Sequence, residues 1–352
     1  MTSTHLIISI NSSSTVTDAI DADRVTSSSG GRGGWLVFQT VQTTLTVLAL
    51  SDNCLSLLVI YGLVRRLTSP LRLLTSLSLA DMLTAWAMMT LYLSVGNSAH
   101  HVTCGDVIHT SLLLSAHNAA ALSLTSLAAS HHIATFRPLH YDSLLTARRV
   151  SVTIATVWTL SGLLGHVQFV MAAVGEQASS ESYCDAVARH SHTALVVSTL
   201  IAVASLLAAA VIYTSIVVYL RPVDAFTQQP DGRHRATRGV VTGVLLFSCY
   251  ALAWLPYLAA RQIQSSAGHL VVNLSGTTLL VGSVLNPVIY GTRMTSLQDG
   301  YSRLWWRAVD QLRALWSRCR QRSDDQDISR QPTTPLNQLS SVCYWLLTST
   351  PV

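Results

Sequence analysis

Seven stretches of this chain are apolar and long: about 35–64, 71–95, 106–135, 150–174, 192–220, 239–261 and 269–290. At about 1.5 Å of rise per residue, each reaches across a hydrocarbon layer about 30 Å thick. Backbone amides inside lipid must find partners within their own segment, which a helix provides. The pattern therefore predicts an all-α membrane protein, a seven-transmembrane helix bundle. Composition agrees: 49% of the 352 residues are hydrophobic and 11% are charged, whereas soluble domains carry about a quarter charged residues.

The basic residues are all arginine, and those between the apolar runs gather around three of the short connections. Arg65, Arg66 and Arg72 flank the first. Arg137, Arg148 and Arg149 flank the second. Arg221, Arg233, Arg235 and Arg238 lie around the third. Connections on the opposite side offer only Arg189 and Arg261. Arginine marks the cytoplasmic side of a membrane protein. The expected topology is a multi-pass plasma-membrane protein with its N-terminus outside and its C-terminus inside. This clustering beside apolar segments is topology information, not the footprint of a nucleic-acid binder.

The expected organisation is an extracellular tail over 1–34, the bundle over 35–291, a surface helix over 292–318 and a cytoplasmic tail over 319–352. The first tail is rich in Ser, Thr and Gly, has no signal-peptide pattern, and carries a glycosylation sequon at Asn11. Beyond the seventh run, Leu304, Trp305, Val309, Leu312 and Trp316 recur close to helical spacing among Arg303, Arg307 and Arg313. That is the pattern of a short amphipathic helix lying on membrane lipids. Cys319 follows it as a palmitoylation candidate, and Thr350-Pro351-Val352 fits the loose C-terminal pattern that PDZ proteins read. The six cysteines form no CxxC pair, so no metal or redox motif is expected. Only Cys104 and Cys184 fall on the outer face, where an oxidising exterior would permit a disulfide.

Polar residues within the runs are costly in lipid and mark function or helix contacts. They are Asn53 in the first run, Asp81 in LTSLSLADML of the second and Asn286 in LNPVIY of the seventh, which ends on Pro287 and Tyr290. Trp158 lies in the fourth run and Trp254-Leu255-Pro256-Tyr257 in the sixth. Taken together, these motifs resemble the rhodopsin-like (class A) G-protein-coupled receptors over most of the chain, from about 35 to 316. Ser205, standing where most of that family has a fifth-helix proline, and the loop TFRPLHYDSLLTARRV are similar to the melanocortin, lysophospholipid, adenosine and cannabinoid receptor cluster.

The resemblance implies roles residue by residue. Asp81 would sit in a polar core, and Trp254 at the floor of the pocket. Pro256 would kink the sixth helix, and Asn286, Pro287 and Tyr290 would form an inner switch. Tyr213 matches the inner tyrosine of the fifth helix. A G protein would be met by His131, His132, Pro138 and Leu139. The resemblance also implies a Cys104–Cys184 disulfide, although Cys104 lies two residues earlier than the usual cysteine.

Two departures stand out. Where the family ends its third helix in Asp/Glu-Arg-Tyr, this chain has Ser130-His131-His132. The sixth segment offers no carboxylate at its inner end, so the usual resting lock has no partners. High basal activity and weakened coupling both remain open. A bound sodium ion is not expected, because Ala120 and Gly282 replace polar partners of Asp81 and Ser283.

For the ligand pocket, Leu113 stands where aminergic receptors hold an aspartate, which disfavours an amine. Leu113, Leu114, Tyr257 and Leu258, with Val197 and Ile201, would make apolar walls. His117, Asn118 and Arg261 would supply polar contacts. An apolar pocket with a few polar groups suits a lipid-like or small amphiphilic ligand, and a peptide is the other class. His100, His101, His109, His190, His192 and His269 crowd the outer face, where they read as exposed loop residues, a proton sensor or a zinc site. No nucleophile motif, paired carboxylates or cofactor fingerprint appears, so an enzyme is not expected and no cofactor is called for. The expected function is a receptor that transduces an extracellular ligand to heterotrimeric G proteins. The alternative is a non-signalling decoy or a partner that modifies another receptor.

Overall fold

The computed structural model describes residues 30–64, 67–95, 104–175, 183–220, 230–262 and 268–328. Asn11, His100, His101 and the C-terminal Thr350-Pro351-Val352 lie outside them. Among the described residues the structure is helical throughout, without strands.

The helices are α1 (Gly30–Gly62), α2 (Ser69–Val95), α3 (Cys104–Phe136), α4 (Ala147–Gly165), α5 (Val167–Gly175), α6 (Tyr183–Arg189), α7 (Ser191–Leu220), α8 (Pro230–Gln262), α9 (Gly268–Arg293) and α10 (Thr295–Ile328). Six are long and apolar enough to span a membrane, and α4 with α5 makes a seventh span, bent by 48°. Packing runs α1–α2, α2–α3, α3–α4, α3–α7, α7–α8, α8–α9 and back to α1, with α3 also against α8. The central position of α3 shows in its burial: 72% of its most apolar window is enclosed, against 28% for α7.

Serine and threonine are abundant in these spans, and a bare hydroxyl in lipid is costly. They solve this locally by donating to the carbonyl four residues back, as Thr84 does to Ala80, Ser111 to Val107, Thr125 to Ala121 and Thr199 to Leu195. Between helices, Trp158 Nε1 donates to Ser76 Oγ at 3.0 Å, and Ser76 is hydrogen-bonded to Ser123 at 2.8 Å, which ties α4, α2 and α3 together.

One expectation needs correcting. The fourth run is not one helix, because α4 ends at Gly165. There, backbone contact with α3 is so close that a Cβ would collide with Ser115. The Gly162 carbonyl accepts the His166 backbone N–H at 3.1 Å, and the His166 ring Nδ1 lies 2.9 Å from the same oxygen. The sixth apolar run, expected over 239–261, matches a span over Thr237–Gln262 within a helix that begins at Pro230. Its polar first turns are helical although they are not part of the apolar span.

At one end of the bundle, Cys104 and Cys184 form a disulfide with 5.3 Å between their Cα atoms, stapling the start of α3 to α6. Beneath it, Val107, Ala172, Ala186 and Val187 make a small separate core. The opposite end carries the arginines. There, Pro138–His140 forms a 3-10 turn and Tyr141–Leu144 a single α-turn. Three hydrogen bonds order this connection: Ser130 to the Tyr141 hydroxyl (3.0 Å), Ser69 to the Leu145 carbonyl (2.9 Å) and Arg149 to the Ser143 carbonyl (3.1 Å). Burial pushes the Tyr141 phenol above its usual pKa, so it stays protonated. Past α9, Leu297 is fully buried and Gly300 packs against Val59 with no room for a Cβ. Ser56 and Tyr301 share a 2.7 Å hydrogen bond, which fixes α10 beneath α1.

Candidate functional site

Pro287 lies inside α9 and has no N–H for the carbonyl four residues back. That carbonyl belongs to Ser283, and fully buried Asn53 of α1 donates Nδ2–H to it at 3.0 Å. The Ser283 hydroxyl turns the other way and donates to Asp81 Oδ1 at 3.1 Å, while Asn286 Nδ2 donates to Asp81 Oδ2 at 2.9 Å. One turn earlier on α2, Ser78 shares a 2.7 Å hydrogen bond with the fully buried Tyr290 hydroxyl. Asn53, Asp81, Asn286, Pro287 and Tyr290 thus meet in one buried joint between α1, α2 and α9. Each carboxylate oxygen of Asp81 has a donor, as a buried carboxyl group requires. Ala120 and Gly282 bring no polar side-chain atom to it. A Cβ at Gly282 would press on Ala253 of α8.

Toward the disulfide end, Pro256 interrupts the ladder of α8. Thr278 of α9 donates to the Ala253 carbonyl in the same turn, at 2.9 Å. Trp254 packs its ring 4.3 Å from that of His117 on α3. The His117 Nε2 lies 3.1 Å from the Ser198 carbonyl, which can only accept, so Nε2 carries the proton. The Tyr250 hydroxyl faces Nδ1 at 3.4 Å and stacks its ring on the same imidazole. His117 therefore couples α3, α7 and α8 through one side chain. Ser198 and Tyr250 escaped sequence reasoning, because nothing in their local sequence marks a partner this far along the chain.

Leu113, Leu114, Tyr257 and Leu258 are buried, and Arg261 is exposed near the end of α8. Asn118 is fully buried, and neither polar atom of its side chain has a hydrogen-bond partner among the described residues. Val197 and Ile201 are half-buried on α7. His109 sets its ring edge-on to Trp86 at 6.0 Å. Among the described residues no cluster of His, Cys, Asp or Glu is arranged to hold a metal ion.

At the arginine end, His131 Nδ1 and the Tyr213 hydroxyl are 3.3 Å apart, linking α3 to α7. Tyr213 reaches this place because position 243 on α8 is glycine; a Cβ there would occupy the site of its hydroxyl. The other edge of the imidazole faces Gly239, where a Cβ would stand 3.7 Å from Nε2. His132 stacks on Phe136 at 4.3 Å, and Tyr219 meets the Phe136 ring at a tilt, 4.5 Å between centroids. Pro138 starts the 3-10 turn that follows, and Leu139 on it is 93% exposed. Between α2, α3, α8 and α9 lies a cavity of about 520 Å³ lined by Leu74, Leu127, His131, Arg238, Gly239, Thr242 and Arg293, with Met294, Thr295 and Ser296 at the corner into α10.

A seven-helix bundle with a proline inside its sixth and seventh spans, a carboxylate joint at its centre and a cavity at one end is the architecture of a membrane receptor. The chain matches the family described as 7 transmembrane receptor (rhodopsin family) over residues 52–290. It belongs to that family of G-protein-coupled receptors, and it is not an enzyme. Similar proteins include melanocortin receptor 5 of Homo sapiens, 24% identical over 289 residues, with 74% of this chain and 82% of the relative covered. The histamine H2 receptor of Rattus norvegicus is 24% identical over 290 residues, covering 77% and 79%. Melanocortin receptor 3 of Homo sapiens is 23% identical over 289 residues, covering 74% and 83%.

Proposed function

We propose that this receptor passes the binding of an extracellular ligand to a heterotrimeric G protein through the cavity at its arginine end. The observation that carries the reading is a set of separate interhelical contacts placed between the two ends: His117 on Trp254, the Asp81–Ser283–Asn286 joint, Ser78–Tyr290, and Tyr213–His131 beside the cavity. The arginine end faces the cytoplasm and the disulfide end faces outward, as the arginine distribution requires. Leu139 and Pro138 on the ordered turn, with His131 and His132 behind them, form the G-protein contact. Exposed Trp305 and Leu312 lay α10 on the inner lipid surface.

The ligand enters between α3, α7 and α8 above Trp254. Leu113, Leu114, Tyr257 and Leu258 supply apolar wall, His117 and Asn118 polar groups, and Arg261 a cation at the mouth. A lipid-like amphiphile or a peptide suits this set. One relative is named for histamine, but Leu113 gives an amine no carboxylate. Coupling is atypical because His131, held by Tyr213, stands in place of an arginine. The same observation favours a second reading, a receptor that reaches the surface without activating G proteins.

G-protein activation in cells, at matched surface expression, separates the two, with and without His131→Arg. The signalling reading expects measurable basal or ligand-driven activation by the native chain, altered in the variant. Absence of signal in both forms across lipid and peptide panels would establish the decoy reading instead.

A further inference from the structure

The first span carries a carboxylate that neither the buried joint nor the ligand pocket uses. Asp52 lies on α1, and about 15 Å of helix separates it from Gly62, the inner end of the span Leu36–Gly62. That depth is well inside the hydrocarbon, beyond the reach of so short a side chain to water. Leu48, one turn before it, and Leu55, one turn after, are exposed on the outside of the bundle, and Asp52 between them is half-buried. Little in the chain holds its charge. Asp52 Oδ1 is 3.4 Å from Asn53 Nδ2, whose two N–H groups already serve the Ala49 carbonyl at 2.8 Å and the Ser283 carbonyl at 3.0 Å. Among the described residues no arginine or histidine pairs with Asp52. A carboxylate beside hydrocarbon without a cation is a costly group for a membrane protein to carry.

The surface beside Asp52 specifies what brings the cation. Thr40, Thr44 and Ser51 recur at helical spacing on the exposed side of α1. Each gives its hydroxyl to a carbonyl of its own helix, at 2.8, 2.8 and 2.7 Å. Small side chains with satisfied hydroxyls let a second helix backbone come close, which is how membrane helices pack. The amine of a phospholipid stays at the membrane surface, too far away to pair with Asp52. A second copy of this chain brings no cation to this face. Its α1 has no arginine or histidine between Leu36 and Gly62, so pairing through the same face sets Asp52 against Asp52. Charge complementarity points instead to a different membrane-spanning helix with one basic residue near its middle. Each charge then has the counter-ion that lipid denies it alone.

We propose that Asp52 and the small-residue face of α1 form a docking site for a membrane-spanning partner protein, held by an ion pair between Asp52 and a lysine or arginine near the middle of the partner's helix. The site lies on the outside of the bundle, apart from Trp254 and from the cavity at the arginine end. Its occupation therefore leaves both open, and the site stands whether or not the receptor activates G proteins.

The test uses the full-length receptor in vesicles of neutral lipid, with synthetic single-span peptides of leucine and alanine, and reads association by energy transfer between labels. One peptide has lysine at the middle of its span, and two others have glutamine or leucine there. A fourth is the chain's own segment 36–62. The lysine peptide is expected to associate at least about tenfold more tightly than the glutamine and leucine peptides. Asp52→Asn should bring it down to their level without changing theirs, and Asp52→Glu should keep part of the preference. Thr44→Leu with Ser51→Leu fills the groove and should weaken the lysine peptide although Asp52 is intact. Without peptide, Asp52→Asn should raise the unfolding temperature, because it removes a charge that has no partner. Equal association of the lysine, glutamine and leucine peptides, or a preference that survives Asp52→Asn, overturns the proposal. A lower unfolding temperature in Asp52→Asn also overturns it and makes Asp52 an internal support of the fold. Tighter association of the 36–62 segment than of the lysine peptide does the same and makes this face a contact between copies of the receptor.

Discussion

Asn53 donates its side-chain amide to the main-chain carbonyl of Ser283 at 3.0 Å. That carbonyl lacks its helical partner because Pro287, four residues on, has no N–H. The asparagine on α1 is thus a repair for a proline on α9. Asn53→Ala should lower stability by about 1–3 kcal/mol, the cost of leaving a buried acceptor bare. Pro287→Ala restores an N–H, so the loss from Asn53→Ala should shrink in that background. Thermal unfolding of the two single variants and the double variant measures the coupling; strict additivity would contradict the assignment.

Asp81 accepts one donor on each oxygen, from Ser283 and Asn286. Asp81→Asn turns an NH2 toward one of them: toward Asn286 it sets donor against donor, and toward Ser283 it forces the hydroxyl to accept instead of donate. The expected cost is about 1–3 kcal/mol in unfolding free energy, together with altered basal G-protein activation. Adding Asn286→Asp to Asp81→Asn exchanges donor and acceptor, and should recover part of the stability.

Much of this arrangement is legible in the sequence, and for one reason. Lipid forces each span to be long and apolar, so seven spans and the rare polar residues within them stand out. What is not legible is which atom meets which. Asn53, Asp81 and Asn286 are conspicuous singly, yet the Ser283 carbonyl that joins Asn53 to the proline is a main-chain atom with no sequence signal. Hydropathy does not show the close approach of Gly165 to Ser115 for the same reason, since Ser115 belongs to another helix. His131 is visible as a departure from the family's pattern. Its partner, Tyr213, is 82 residues away and reaches it only because position 243 is glycine.

Gly243→Ala tests that last relationship. The added methyl group displaces the Tyr213 hydroxyl, so the contact with His131 is lost although neither residue changes. Tyr213→Phe removes only the hydrogen bond, worth about 0.5–1.5 kcal/mol. Both variants should shift basal G-protein activation in the same direction, Gly243→Ala more strongly. Opposite shifts would show that His131 and Tyr213 do not act together.

The Cys104–Cys184 disulfide closes a loop with a sequence separation of 80 residues. Chain entropy puts its contribution at roughly 4 kcal/mol. Cys104→Ser, Cys184→Ser and the double variant should therefore lose similar amounts of surface expression, since each breaks the same bond. A double variant much worse than either single one would mean that the cysteines contribute separately.

Leu139 is 93% exposed on a turn that Tyr141, Ser130 and Arg149 hold in place. An apolar side chain so exposed makes no contribution to the fold that substitution could remove. Leu139→Asp should leave the unfolding temperature unchanged and reduce G-protein activation at least about tenfold, as expected for an apolar anchor lost from an interface. Tyr141→Phe removes the link to Ser130 while keeping Leu139, so the turn loosens. It should give a smaller loss of activation, together with faster proteolysis between Phe136 and Ala147. If Leu139→Asp activates as well as the native chain at equal expression, the turn is not the contact, and the G protein must be held by the cavity and its arginines alone.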